Sequence, residues 1–293
     1  MIYDSSFNGL LSAIAWCLRN RQKPLGFLSD QDPAPLLDSI AIPEEPRIRR
    51  LFRRHLAAVA GQTAGPEVLD TVYRAFLSEA AGMANWIYEY LCLALNSRRN
   101  PVDQLYLPAV AAVAGASRRV AGQAHQYLGL LRFKRLGDHL FLAEFEPDYH
   151  VLPLILPHFA DRLYDQEFVI CDRRRGIAAW HQANGACSLH RLAETGNETA
   201  AGPDQAALPD SAAADPLTAA GLPAGTALPA ETAGQPVSGT ESDQAAKDDP
   251  EYERMWRHYL KHLTIPERRN LLLQRSHMPK KYWKYLTENP FVP

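Results

Sequence analysis

His158, Asp161 and Arg162 are the side chains best spaced for chemistry. If Pro157 opens a helical turn, the three share one face, with an imidazole and a carboxylate in hydrogen-bond reach and a guanidinium beside them. Asp161 can then fix the tautomer of His158 for proton transfer or a base contact, while Arg162 clamps a phosphate. The same trio also fits a polar network joining a helix to a sheet, or a solvated surface. A second candidate pair is His125 with Glu144: a hairpin beside the end of a long helix can bring the carboxylate round to orient the imidazole. These residues are too few for a metal centre, so neither a metal nor a cofactor is expected. The chain carries no phosphate-binding glycine loop, dinucleotide fingerprint, His-Glu-x-x-His, nucleophile elbow or deaminase zinc pattern.

Cations supply a second kind of chemistry. Arg268, Arg269, Lys280, Lys281 and Lys284 lie in a basic tail interleaved with Tyr282, Trp283 and Tyr285. Such a tail presents a field to a polyanion and rings to exposed bases, with Trp283 the ring expected to turn into the core. Arg132 and Lys134 alternate with Leu131 and Phe133, which puts both cations on one face of a strand. Arg173, Arg174 and Arg175 form a basic connection that can bracket a phosphate backbone with them. Whole-chain charge hides this pattern: 31 Lys and Arg nearly balance 33 Asp and Glu. Residues 193–249 hold ten acids and one lysine, whereas 250–293 hold nine Lys or Arg against four Glu.

Four elements must position these groups. Residues 1–128 read as mainly helical. Ile2 and Tyr3 form a short strand, one of Asp4, Ser5 or Ser6 caps a helix over 7–19, and further helices cover 47–60, 66–95 with a break near Gly82, and 107–128. Lys23 to Pro46, broken by six prolines and glycines, is loop with a possible edge strand at Leu25, Phe27 and Leu28. Residues 129–192 change period: strands at 130–135 and 139–145, a proline-limited helix within 147–163, and strands at 167–172 and 176–182. A small antiparallel β-β-α-β-β unit is expected. Residues 193–249, rich in Ala, Pro, Gly and acid, cannot recover their ordering entropy and should be disordered. Residues 250–293 form a helical tail that packs back on the sheet, completing an α+β fold. The four cysteines, Cys17, Cys92, Cys171 and Cys187, lack metal spacing and read as free thiols of a reducing compartment. With no run of roughly 18 apolar residues, no membrane span is expected and a cytoplasmic location is.

Five stretches carry a family likeness: Ile2 to Leu11, His125 to Phe133, Ala143 to Pro153, Pro157 to Leu163, and the tail through Arg269-Asn270 and Met278 to Trp283. Together they resemble a bacterial family of DNA metabolism or repair proteins. Its members are typically encoded beside a radical S-adenosylmethionine protein assigned to DNA modification or repair, and its latter half also occurs fused to uracil-DNA glycosylase-like domains. The resemblance implies DNA and that radical protein as partners. Relatives pass from the last strand to the Trp/Tyr-rich helix by a short connection, so the acidic insert is a departure. The chain lacks a cysteine triplet for an iron–sulfur cluster, which leaves radical chemistry to the partner.

Three functions follow as expectations. The first is an accessory DNA-binding protein in repair or modification. The second is a nuclease or glycosylase-like hydrolase using His158 and Asp161, or His125 and Glu144. The third is a structural partner of the radical protein that does not touch DNA.

Overall fold

The computed structural model describes residues 1–33, 39–136 and 140–192, together with 254, 255, 258, 262, 272, 278 and 280–285. The insert 193–249 lies outside them, as do Arg268 and Arg269. The chain divides into two compact units, Met1–Tyr127 with Pro147–Ile155, and Leu128–Glu146 with Leu156–Pro293.

The first unit begins with β1 (Ile2–Tyr3) and α1 (Phe7–Asn20). Ser6 caps the helix: its Oγ accepts the Gly9 N–H at 2.8 Å, while Asp4 Oδ1 accepts from the Ser6 hydroxyl at 2.7 Å. A Cβ on residue 9 would overlap that aspartate oxygen, so a side chain there would push Asp4 out of its brace. Part of the family-like Ile2 to Leu11 stretch is therefore a helix-start device. β2 (Leu28–Ser29) pairs with β1 in parallel. Then come α2 (Ile48–Ala60), α3 (Ala64–Phe76), α4 (Met83–Ser97) and α5 (Pro108–Leu130). The expected break near Gly82 separates α3 from α4. Pro66 sits in the first turn of α3, where its missing N–H costs no intrahelical bond. Leu10, Leu11, Ile14, Leu56, Val72, Ile87 and Val113 are fully buried in one shared core. Gly65 lets α3 touch α2, because a side chain there would strike the Leu56–Ala57 backbone.

The second unit is built on a five-stranded sheet in the order β3 (Phe133–Leu136), β4 (Leu140–Phe145), β5 (Glu167–Asp172), β6 (Ile177–His181), β7 (Cys187–Arg191). Two features differ from the antiparallel four-strand expectation. β4 and β5 run parallel, with Glu144 opposite Cys171, because α6 (Leu152–Arg162) forms a crossover that returns the chain to its starting end. β7 was not expected, since its exposed His190 and Arg191 weaken the hydrophobic pattern. The Asn184-Gly185 pair before it is nevertheless a hairpin signal. α6 begins among residues of the first unit and ends among those of the second. On the sheet face bearing its C-terminal half, Phe133 meets Phe159 at 5.2 Å and Phe168 at 5.5 Å between ring centroids. A 3-10 helix, Lys280–Tyr285, brings the tail back to β4, as expected.

Candidate nucleic-acid interface

Side chains alternate across β4 and β5, so Glu144 and Glu146 face away from the Phe133 side. The basic connection Arg173 to Arg175 follows directly from β5. Its geometry is set by Asp172, whose side chain is fully buried. Asp172 Oδ1 accepts the Arg174 and Arg175 backbone N–H groups at 3.0 and 3.2 Å, and Oδ2 accepts from Arg175 Nη1 at 2.9 Å. Burial pushes the Asp172 carboxyl above its ordinary value, and Arg175 offsets only part of this. Arg173 forms an ion pair with Glu144, its Nε donating at 2.6 Å. Arg174 is exposed.

The tail arrives at the same place. Lys284 Nζ lies 2.5 Å from Glu146 Oε2, and that bond, followed by one from Tyr285, holds the Glu146 carboxyl below its usual range. Arg173 also acts on Glu146 electrostatically. Thus Arg173, Arg174, Arg175 and Lys284 gather with Glu144, Glu146 and Asp172 at one end of the sheet. Burial, with Glu146 second, pushes the Tyr285 hydroxyl up to about 12.

Several expected roles change. Tyr282, expected to stack on bases, is only 4% exposed and belongs to the core. Trp283, expected in the core, is half-buried and donates its indole N–H to the Met278 carbonyl at 3.0 Å. Adjacent residues of a 3-10 helix point about 120° apart, so only one of the two rings can face inward. Glu144 does not serve His125: its carboxylate is taken by Arg173, and His125 is exposed on α5 with no hydrogen bond or ion pair to a described residue. Arg132 donates to the Gly129 and Leu131 carbonyls at 2.7 and 3.3 Å, which binds it to the last turn of α5. Lys134 is half-exposed on the Glu144 face of the sheet, opposite Leu142. The side chains of Lys280 and Lys281 lie outside the described residues.

His158, Asp161 and Arg162 are all exposed on the last turns of α6. No hydrogen bond or ion pair joins any of them to a described residue, and His158 only meets the edge of Phe159 at 5.2 Å. The polar-network role is thereby removed, because a network needs mutual bonds. The four cysteines are free, and burial pushes each thiol up, Cys171 to about 11.

One basic feature escaped the sequence reading. Arg47, Arg49, Arg50, Arg53 and Arg54 fall within eight residues on α2 and its N-cap, with no acid between Arg47 and Ala60. A charge sum over a single helix, instead of over the whole chain, shows it.

Among the described residues no helix is long and apolar enough to cross a membrane. No curated protein and no solved structure matches the chain. The family described as a domain of unknown function, DUF4130, matches residues 81–288, from the start of the α4 region to the tail. The chain belongs to the DUF4130 family.

Proposed function

We propose that this protein is an accessory DNA-binding component of a repair or modification pathway, acting with a radical S-adenosylmethionine partner. Support comes above all from one observation: the triple-arginine turn and the returning tail, 109 residues apart from Arg175 to Lys284, converge on the same end of the sheet. Three carboxylates there hold the cations in place, and Lys134 on β3 lies on the same face of the sheet as Glu144. Ion-paired arginines retain N–H donors, so a phosphate can still be bound at such a rim. The partner and the pathway rest on the likeness of the Ile2, His125, Ala143, Pro157 and Met278 stretches to the DNA metabolism family.

Binding of a random-sequence duplex should weaken steeply with salt. The double variant Lys134→Glu, Arg174→Glu should flatten that dependence by about 0.9 for each phosphate no longer neutralised. An unchanged slope would rule out the rim. A hydrolase is the second reading, favoured by the exposed and unbonded His158 and Asp161, one helical turn apart. Turnover of a damaged oligonucleotide, lost in His158→Ala with the fold intact, is the result that would establish it.

A further inference from the structure

Among the described residues, α2 and its N-cap carry the most numerous basic cluster of any single element, outside the family match and in the other compact unit from the sheet rim. Its apolar residues Ile48, Phe52 and Leu56 are 1%, 7% and 0% exposed, so one face is spent on the core. Arg49 is spent there too: its guanidinium sits over the rings of Tyr73 and Phe7, at 4.6 and 5.9 Å. Arg47, Arg50 and Arg54 are exposed, and none has a hydrogen bond or ion pair to a described residue. At 100° per residue they fall within about 60° of one another, along about 10 Å of helix. The helix start adds to this field, having neither a side-chain cap nor an acid in its first turn.

We propose that the Arg47, Arg50 and Arg54 face of α2 is a second docking surface for a nucleic-acid phosphate backbone. Charge and spacing choose the occupant. A duplex strand presents one phosphate per 3.4 Å of axis, so about three phosphates lie along this length, one for each arginine. A lipid surface fits poorly, because an interfacial helix must bury its apolar face in the membrane and here that face is already inside the protein. A protein partner fits poorly as well: Leu51, 41% exposed, is the only large apolar residue on the exposed face, too little for a hot-spot core.

The test uses the full chain and a random-sequence DNA duplex titrated across salt. Replacing all three with glutamine (R47Q, R50Q, R54Q) should lower the salt slope by about 2.7, so raising salt from about 50 to 200 mM costs the wild type about 40 times more affinity than the variant. The matching lysine triple should keep the wild-type slope. Should the glutamine triple lose its helical circular dichroism, the three single variants decide, each expected to remove about 0.9. Unchanged slopes overturn the proposal, as does loss of binding to phosphatidylserine vesicles with DNA binding intact. The rim variant Lys134→Glu, Arg174→Glu separates the two surfaces: if it alone abolishes the salt dependence, the rim stands and the α2 surface falls.

Discussion

The three consecutive arginines after β5 should behave as three different residues. Arg175 is 12% exposed in its side chain and faces a carboxylate with no exposure at all. Arg175→Met keeps most of the volume but leaves Asp172 buried without its cation, a change that typically costs 3–5 kcal/mol. Two backbone N–H groups still serve Asp172, so about 3 kcal/mol is expected at pH 7. The penalty should depend on pH in a definite direction. Asp172 already has a raised folded-state value, and losing Arg175 raises it further. A carboxyl of this kind contributes stability that is present below its unfolded value of about 3.9 and is lost as pH rises through the folded one. The variant therefore regains ground on acidification, by up to about 1.36 kcal/mol per pH unit within that window. Urea unfolding of wild type and variant at pH 7 and near pH 5 should show the deficit shrinking at the lower pH. An equal deficit at both pH values, or one under about 1 kcal/mol at pH 7, would refute the assignment of Arg175 as the counter-ion of a buried charge. Arg174→Ala, by contrast, should leave stability within about 0.5 kcal/mol. Arg173→Ala should cost at most about 1 kcal/mol, since its pair with Glu144 is 49% and 23% exposed.

Gly9→Ala should destabilise the first unit by about 2 kcal/mol, since the new methyl overlaps the aspartate that braces the cap; unfolding midpoints within error of wild type would contradict the role given to Asp4. The tail contact should outlast mild acid. Because Lys284 holds Glu146 below its ordinary value, the stabilisation is complete above the unfolded value of about 4.3 and fades only as pH falls through the lowered one. The indole N–H resonance of Trp283, followed by nuclear magnetic resonance from pH 7 downwards, should hold its position to below pH 4.3 in the wild type and be displaced at pH 7 in Glu146→Gln. A wild-type transition near pH 6 would point to a histidine instead.

Local chemistry made much of the first unit legible. The Asp4-Ser5-Ser6 run after a two-residue strand announces a cap for α1 without choosing among the three, and the helical period with its break at Gly82 separates α3 from α4. The Leu136 region similarly announces the β3–β4 pair. What could not be read was anything set by phase or by pairing between distant residues. Glu144 and Arg173 are 29 residues apart and meet only because the α6 crossover puts Glu144 opposite Cys171. Which of Tyr282 and Trp283 is buried depends on the rotation of a short 3-10 helix about its axis, which two neighbouring aromatics leave open.

The α2 arginines show a different failure, one of averaging. Positive charge acts within a Debye length of about 8–10 Å, close to the length of two helical turns. A sum over the whole chain is blind at that scale, because acids on other elements cancel cations they never approach. The rim of the sheet makes the converse point. Its arginines stand out in the sequence, yet Glu144, Asp172 and Glu146 lie within bonding distance of Arg173, Arg175 and Lys284. Conspicuous cations can thus be the better neutralised ones, and a helix with no acid of its own can carry the stronger field. Binding measured on the rim and α2 variants side by side ranks the two surfaces by this local balance, and on that basis the α2 substitutions should remove the larger share of the salt dependence.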